Sequence, residues 1–191
     1  MQAAARDFIA KHGVPDLVIA NAGVSHGTLT ECADDIDVFR QILDINVIGM
    51  VNAFHPFVAP MREAGRGVLA GVASVAGYRG LPGASAYSAS KAAAIRYCES
   101  LRVELRGTGV RVATICPGYI ATPMTAKNPY PMPFIISAED FARRFARAID
   151  AGSTYAVIPW PMAIVAKLLA LLPNALYDAA FSRAGRKPRK G

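Results

Sequence analysis

Short, continuous apolar runs alternate with longer segments of helical periodicity along this chain. Strands that are buried on both faces of a parallel sheet have continuous apolar sequences, and such runs occur at residues 17–20, 68–72, 110–115 and 155–158. Helical periodicity is found between them, at residues 38–61, 86–106 and 137–151. The last helix is predicted to begin at "SAED", where Ser137 caps the helix and an acid follows three residues later. This alternation predicts an α/β fold, a parallel sheet covered by helices on both faces.

Three further segments have distinct patterns. Residues 1–12 alternate charged and apolar residues, as at the end of an amphipathic helix. The most apolar segment, residues 155–173, is interrupted by Pro159, Pro161 and Lys167, so it lacks the roughly 20 uninterrupted residues of a membrane-spanning helix. The proline-rich stretch "NPYPMPF", residues 128–134, predicts an extended loop or lid near a ligand.

Composition is consistent with one globular domain. The 191 residues are 53% hydrophobic and 18% charged. The cysteines, Cys32, Cys98 and Cys116, are widely spaced and match neither a disulfide framework nor a metal site, so we expect a reduced, cytoplasmic setting.

The net charge of +7 is concentrated at the carboxyl end. Five of the positive charges come from Arg183, Arg186, Lys187, Arg189 and Lys190. We therefore expect a nearly neutral domain over residues 1–182, a solvated basic tail over residues 183–191, and no nucleic-acid partner. A minor alternative is that the tail and the apolar segment before it contact a membrane surface.

The sharpest chemical pattern is "SVAGYRGLPGASAYSASK". It places Ser74 at the end of a predicted strand, where open parallel sheets bind ligands, and Tyr87 and Lys91 four residues apart on one helix face. A phenol has a pKa near 10, and lowering it by about 3 units takes roughly 4 kcal/mol, part of which a neighbouring ammonium supplies. The pattern therefore favours a tyrosine acid or base assisted by a lysine, with Ser74 holding a substrate oxygen.

Five motifs in this order resemble the short-chain dehydrogenase/reductase family, classical type. They are "ANAG", "DINV", "ASVAG", "YSASK" and "PGYIAT", and they extend over most of the chain. The resemblance implies a Rossmann-like doubly wound parallel sheet and hydride transfer between NAD or NADP and an alcohol or carbonyl. The first asparagine of the family's N-N-A-G motif is Ala20 here. No metal is implied.

The resemblance also implies roles for individual residues. Tyr87 would be the general acid or base, Ser74 would polarise the substrate oxygen, Lys91 would hold the nicotinamide ribose and lower the tyrosine pKa, and Asn46 would position a water. The remaining residues would contact the cofactor: Asn21, Ala22, Gly23, Pro117, Gly118, Ile120 and Thr122. A serine hydrolase is excluded, because "GVASVAG" is not a G-x-S-x-G motif and all three histidines, His12, His26 and His55, precede Ser74.

One part of the family pattern is missing. No glycine-rich phosphate turn precedes Leu17, and "GRGVLAG" at residues 65–71 leads into a strand instead of following one. We therefore expect the chain to begin inside a crossover helix, without the first three strands and the residues that select NAD or NADP. A misassigned start of an ordinary enzyme and a natural truncation that acts as a non-catalytic interaction protein both remain open.

Two expectations concern the substrate and the assembly. The predicted pocket wall is largely apolar, which favours an apolar alcohol or ketone; it comprises Tyr78, Leu81, Pro82, Tyr119, Met124 and residues 128–134. In the resembling family, the helices that correspond to residues 38–61 and 86–106 commonly pack against symmetry mates. We therefore expect a homodimer or homotetramer, with residues 161–181 at a second contact or over the pocket.

Overall fold

The structure, a computed structural model, describes residues 1–189. The strands are β1 (Leu17–Ala20), β2 (Gly67–Val72), β3 (Val110–Pro117), β4 (Ile120–Ala121), β5 (Ile136–Ser137) and β6 (Tyr155–Ile158). The helices are α1 (Gln2–His12), α2 (Asp35–Leu43), α3 (Gly49–Ala64), α4 (Ser85–Glu104), α5 (Ala138–Asp150), α6 (Pro161–Leu171) and α7 (Asn174–Phe181). A π-helical turn, Asp44–Ile48, joins α2 to α3.

The central sheet is parallel, in the order β1-β2-β3-β6. It contains the four predicted strands, and helices connect them as expected, so the predicted α/β fold is confirmed. The helix predicted from residue 38 begins earlier, at Asp35, because Asp35 and Asp37 place negative charge in its first turn, where the helix dipole favours it. Ser137 caps α5 as predicted, and its Oγ accepts a hydrogen bond from Asp140 N at 3.1 Å.

Helices cover both faces of the sheet. On one face, α3 and α4 contribute Phe54, Met61 and Cys98 to a core that includes Leu69 of β2. On the other face, the core includes Phe145 of α5. This two-layer covering is what a doubly wound sheet requires.

The burial of the predicted strands follows their position in the sheet. The four apolar runs are not all buried on both faces, since Leu17 and Ile19 of β1 are 37% and 47% exposed. Only β2 and β3 are central strands; β1 lies at an edge and has no strand partner on its outer side among residues 1–189.

The apolar segment at the carboxyl end forms two helices. The axes of α6 and α7 differ by 117°, and Tyr177 of α7 is buried and donates a hydrogen bond to the Gly80 carbonyl. The outward face of α6 exposes Ile164, Leu168 and Leu171. The continuous helical segment over residues 35–64 is long and apolar enough to cross a membrane, but one of its faces packs into the domain core.

Most of residues 183–189 of the predicted tail are exposed, but the segment also contacts the domain. These residues fold back onto the domain, where the Arg189 guanidinium forms a bidentate ion pair with Asp35, at 2.8 Å for its shortest contact. Lys190 and Gly191, the rest of the predicted tail, lie outside the described residues.

Candidate active site

The carboxyl ends of β1, β2 and β3 meet at one edge of the sheet, where they border a cavity of about 560 Å³. We call this the main cavity. Ten of the eleven predicted site residues line it: Asn21, Ala22, Gly23, Ser74, Tyr87, Lys91, Pro117, Gly118, Ile120 and Thr122. Asn46 does not. The edge of a parallel sheet thus brings together segments that are up to a hundred residues apart in the sequence.

Ser74 lies two residues after the end of β2 and caps a single 3-10 turn, Val75–Gly77. Its Oγ accepts a hydrogen bond from Ala76 N at 3.1 Å, and this contact orients the side chain at the cavity wall. Burial raises the pKa of the Tyr87 phenol, and a hydrogen bond with Ser74 acts in the opposite direction. Ser74 is therefore placed beside the hydroxyl that the sequence predicts to exchange a proton.

Lys91 lies one helical turn after Tyr87 on α4, with its Nζ 5.8 Å from the centroid of the Tyr87 ring. Only 4% of Lys91 is exposed, and its ammonium donates to the Val72 carbonyl at 2.9 Å. Burial lowers the pKa of Lys91 to about 8. The helical spacing therefore brings the lysine close to the phenol, as predicted. The hydrogen bond that lowers the pKa of Tyr87 in this structure is made with Ser74.

Asn46 lies in the π-helical turn and is 1% exposed. Its Oδ1 accepts a hydrogen bond from Val24 N at 2.8 Å, while its Nδ2 donates to the Val24 carbonyl at 3.0 Å and to Ser90 Oγ at 2.9 Å. A Cβ on Gly23 would lie 3.2 Å from this Oδ1 and 3.5 Å from Lys91 Nζ. Asn46 thus ties the segment after β1 to α4, and its predicted role in positioning a water stays a prediction.

The segment after β3 forms the opposite wall of the main cavity. Gly118 N donates to the Ile158 carbonyl at 2.8 Å, and a Cβ at Gly118 would be 2.7 Å from Met162 Cγ, so glycine is required for this approach. Thr125 Oγ1 accepts a hydrogen bond from Thr122 N at 3.0 Å. Thr125 shapes this turn, although the sequence analysis did not predict it as a site residue. The available signal was the spacing of Thr122 and Thr125, two threonines three residues apart in a predicted turn.

Two smaller cavities, of about 240 and 90 Å³, have Leu81, Ala84, Tyr119, Tyr130 and Lys187 in common, and Tyr87 lines the smaller one. We call them together the side cavity. Most of the predicted substrate wall is found here: Leu81, Pro82, Tyr119, Met124, Asn128, Tyr130 and Pro131. The prediction is wrong for Tyr78, which lines neither of these cavities. It lies on another surface, where its hydroxyl accepts a hydrogen bond from Tyr155 at 2.8 Å.

Comparison with known proteins identifies related sequences over nearly the whole chain. The family model described as short chain dehydrogenase matches residues 1–131. An uncharacterized oxidoreductase of Myxococcus xanthus is 44% identical over 178 residues, which are 93% of this chain and 70% of the relative. A 2-dehydro-3-deoxy-L-rhamnonate dehydrogenase (NAD(+)) of a Sphingomonas species is 39% identical over 127 residues, 66% of this chain and 51% of the relative. The chain thus spans about half the length of this second relative.

A solved structure has the same fold. The short chain dehydrogenase of Burkholderia cenocepacia, crystallised in complex with NADP, superposes with a TM-score of 0.80 at 27% sequence identity. The superposition covers 95% of this chain and 74% of that one.

Proposed function

The chain belongs to the short-chain dehydrogenase family, and on that premise we propose that it is an oxidoreductase that transfers hydride between a nicotinamide cofactor and an alcohol or carbonyl substrate. The observation that carries this proposal is the meeting of Ser74, Tyr87 and Lys91 at the wall of the main cavity. A hydroxyl, a phenol and an ammonium at the carboxyl edge of a parallel sheet are suited to move a proton to or from a substrate oxygen.

In this proposal, Tyr87 donates a proton to the substrate oxygen during reduction and accepts one during oxidation. Ser74 holds the same oxygen through its hydroxyl, which keeps the oxygen within reach of the phenol. The Lys91 ammonium favours the phenolate form, because an opposite charge nearby stabilises an anion. Its buried position and its bond to Val72 support this role by keeping the ammonium at one place.

The residues of the main cavity fit the nicotinamide half of the cofactor, which supplies or accepts the hydride when bound. Gly23 and Gly118 both line this cavity without a side chain; a Cβ would be tight against Asn46 Oδ1 at the first and would overlap Met162 Cγ at the second. Lys91 would bind the ribose and Thr122 the carboxamide. The Sphingomonas relative is named for NAD(+), whereas the Burkholderia structure holds NADP, so we propose either dinucleotide without a choice between them.

The side cavity supports a substrate with an apolar body. Leu81, Pro82, Tyr119 and Met124 contribute mainly apolar surface to it. The proposed substrate is therefore a small alcohol or ketone whose reacting carbon lies between Tyr87 and the nicotinamide, with its apolar part in the side cavity.

Replacing Tyr87 with phenylalanine in the complete protein tests the proposal. We expect turnover of any alcohol or ketone found by screening with both dinucleotides to fall by about a hundred- to ten-thousand-fold, because general acid–base catalysis is lost. Dinucleotide binding, measured by fluorescence titration, should stay unchanged. Tyr97→Phe is the matched control, since Tyr97 lies on the same helix but stacks on Phe54 in the core. Unchanged turnover in Tyr87→Phe would contradict the assignment.

A further inference from the structure

The basic carboxyl-terminal segment, residues 183–189, borders the side cavity of the candidate active site; we call it the strap. Gly27 N donates a hydrogen bond to the Pro188 carbonyl at 2.9 Å, and the Arg189 guanidinium binds the carboxylate of Asp35, which is only 4% exposed. A Cβ on Gly27 would collide with the Lys187 carbonyl, so glycine is required for the strap to lie here. These contacts hold the backbone directly after Lys187 in place.

The side chain of Lys187 points into the site. Its Nζ donates to Ser25 Oγ at 2.9 Å and lies 5.8 Å from the centroid of the Tyr87 ring. Lys187 lines the side cavity together with Ser74, Tyr87 and Tyr130. The strap thus places a second ammonium as close to the candidate acid–base group as Lys91 is, and in the wall of the side cavity.

The Lys187 ammonium has no carboxylate partner within residues 1–189. None of the ion pairs among these residues includes it, and the one side-chain hydrogen bond it donates is to a neutral hydroxyl. Burial lowers the pKa of Lys187, and no neighbouring anion offsets that effect. A partly buried cation without a counter-ion is costly, and an anion supplied by a ligand would remove that cost.

A second polar group in the side cavity also lacks a partner. The Oδ1 of Asn128 is a buried oxygen with no hydrogen-bond donor within reach, although native proteins satisfy nearly all such atoms. Asn128 lines the same cavity as Lys187, but its Oδ1 is enclosed by protein atoms, so Lys187 is the group that the side cavity offers to an anionic ligand.

We propose that Lys187 binds an anionic group of the substrate, a carboxylate or a phosphate, while Tyr87 and Ser74 hold the reacting oxygen. The inference rests on the proposed function and narrows its substrate class to hydroxy or oxo compounds that carry an acidic group. The strap sets the specificity of the site, because the ammonium belongs to it and not to the sheet.

The test uses the complete protein and probes that differ only in charge. Oxo acids are assayed beside their methyl esters, and dihydroxyacetone phosphate beside dihydroxyacetone, with both reduced dinucleotides. We expect Lys187→Met to lower kcat/KM for the anionic probes by about 10- to 150-fold more than for the neutral probes, as for loss of a charge-assisted hydrogen bond. Arg183→Met is the control, because it removes one charge from the strap at an exposed residue outside the cavities.

The outcomes separate the possible sources of the anion. Equal effects of Lys187→Met on charged and neutral probes would overturn the proposal. A higher dissociation constant for NADH or NADPH in Lys187→Met would also overturn the proposal, because the ammonium would then bind a cofactor phosphate.

If no probe is turned over, the proposed function fails. Saturation-transfer NMR without cofactor then tests separately whether Lys187 binds the anionic probes. Binding of the anionic probes to wild type but not to Lys187→Met supports the inference, and no difference between the two proteins refutes it.

Discussion

Replacing Asn46 with leucine should destabilise the protein, because this asparagine ties two parts of the site together. It makes three hydrogen bonds, of 2.8, 2.9 and 3.0 Å, to Val24 on one side and to Ser90 of α4 on the other. Leucine has a similar volume but offers no donor or acceptor. The change thus removes the polar contacts while nearly preserving the packing.

The magnitude follows from the burial of the partners. Ser90 is fully buried, but its hydroxyl keeps its bond to the Tyr87 carbonyl at 2.7 Å. The amide and carbonyl of Val24 lose a partner in a half-buried segment, where water replaces only part of the interaction. An unsatisfied buried polar group costs about 1–3 kcal/mol, so we expect a loss of about 2–4 kcal/mol in the free energy of unfolding.

Urea denaturation followed by circular dichroism measures this loss. Asn52→Leu is the control, because Asn52 lies on α3 with an exposed side chain and should change stability by less than about 0.5 kcal/mol. A fall in turnover at unchanged stability in Asn46→Leu would refute the structural reasoning, and it would favour the water-positioning role that the family resemblance implies.

Two further predictions concern charge and assembly. Lys91 has a folded-state pKa of about 8, below its ordinary value of 10.5, so between these values the unfolded chain binds more protons and stability rises with pH. Relative to Lys91→Met, the wild type should therefore gain about 2 kcal/mol in the free energy of unfolding from about pH 8 to pH 9.5, measured by urea titration. A stability difference between the two proteins that does not change with pH would contradict the buried ammonium. The complete protein should be a dimer or tetramer by light scattering at micromolar concentration. Ile48→Asp or Val103→Asp should shift it toward monomer, because these exposed apolar residues lie on the helical segments predicted to pack across a two-fold axis. A monomeric wild type would refute this prediction.

Local pattern was enough to predict the sheet and the centre of the site. Continuous apolar runs identify β2 and β3 because both faces of these strands are buried. The four-residue spacing of Tyr87 and Lys91 predicts their proximity because an α-helix brings such residues to one face. Such inferences succeed where the geometry of one element determines the contact.

The same kind of reasoning failed where a residue's surroundings depend on another part of the chain. Leu17 and Ile19 have a typical buried-strand sequence, yet they are exposed, because burial depends on the neighbours of β1 and not on its own residues. Tyr78 was assigned to the substrate wall from its place in the sequence, but Tyr155, 77 residues away, binds its hydroxyl on another surface.

The sequence by itself determined which residue types the chain offers and how they repeat: the strands, the helices, and the Ser74, Tyr87 and Lys91 motif. Only the tertiary structure showed that the strap turns back to place Lys187 beside Ser25, 162 positions away. Periodicity reports contacts within one helix or strand, because its repeat is the repeat of that element. A contact between distant segments depends on the path of the whole chain, here on the glycine at residue 27 and the Arg189–Asp35 ion pair that hold the strap in place.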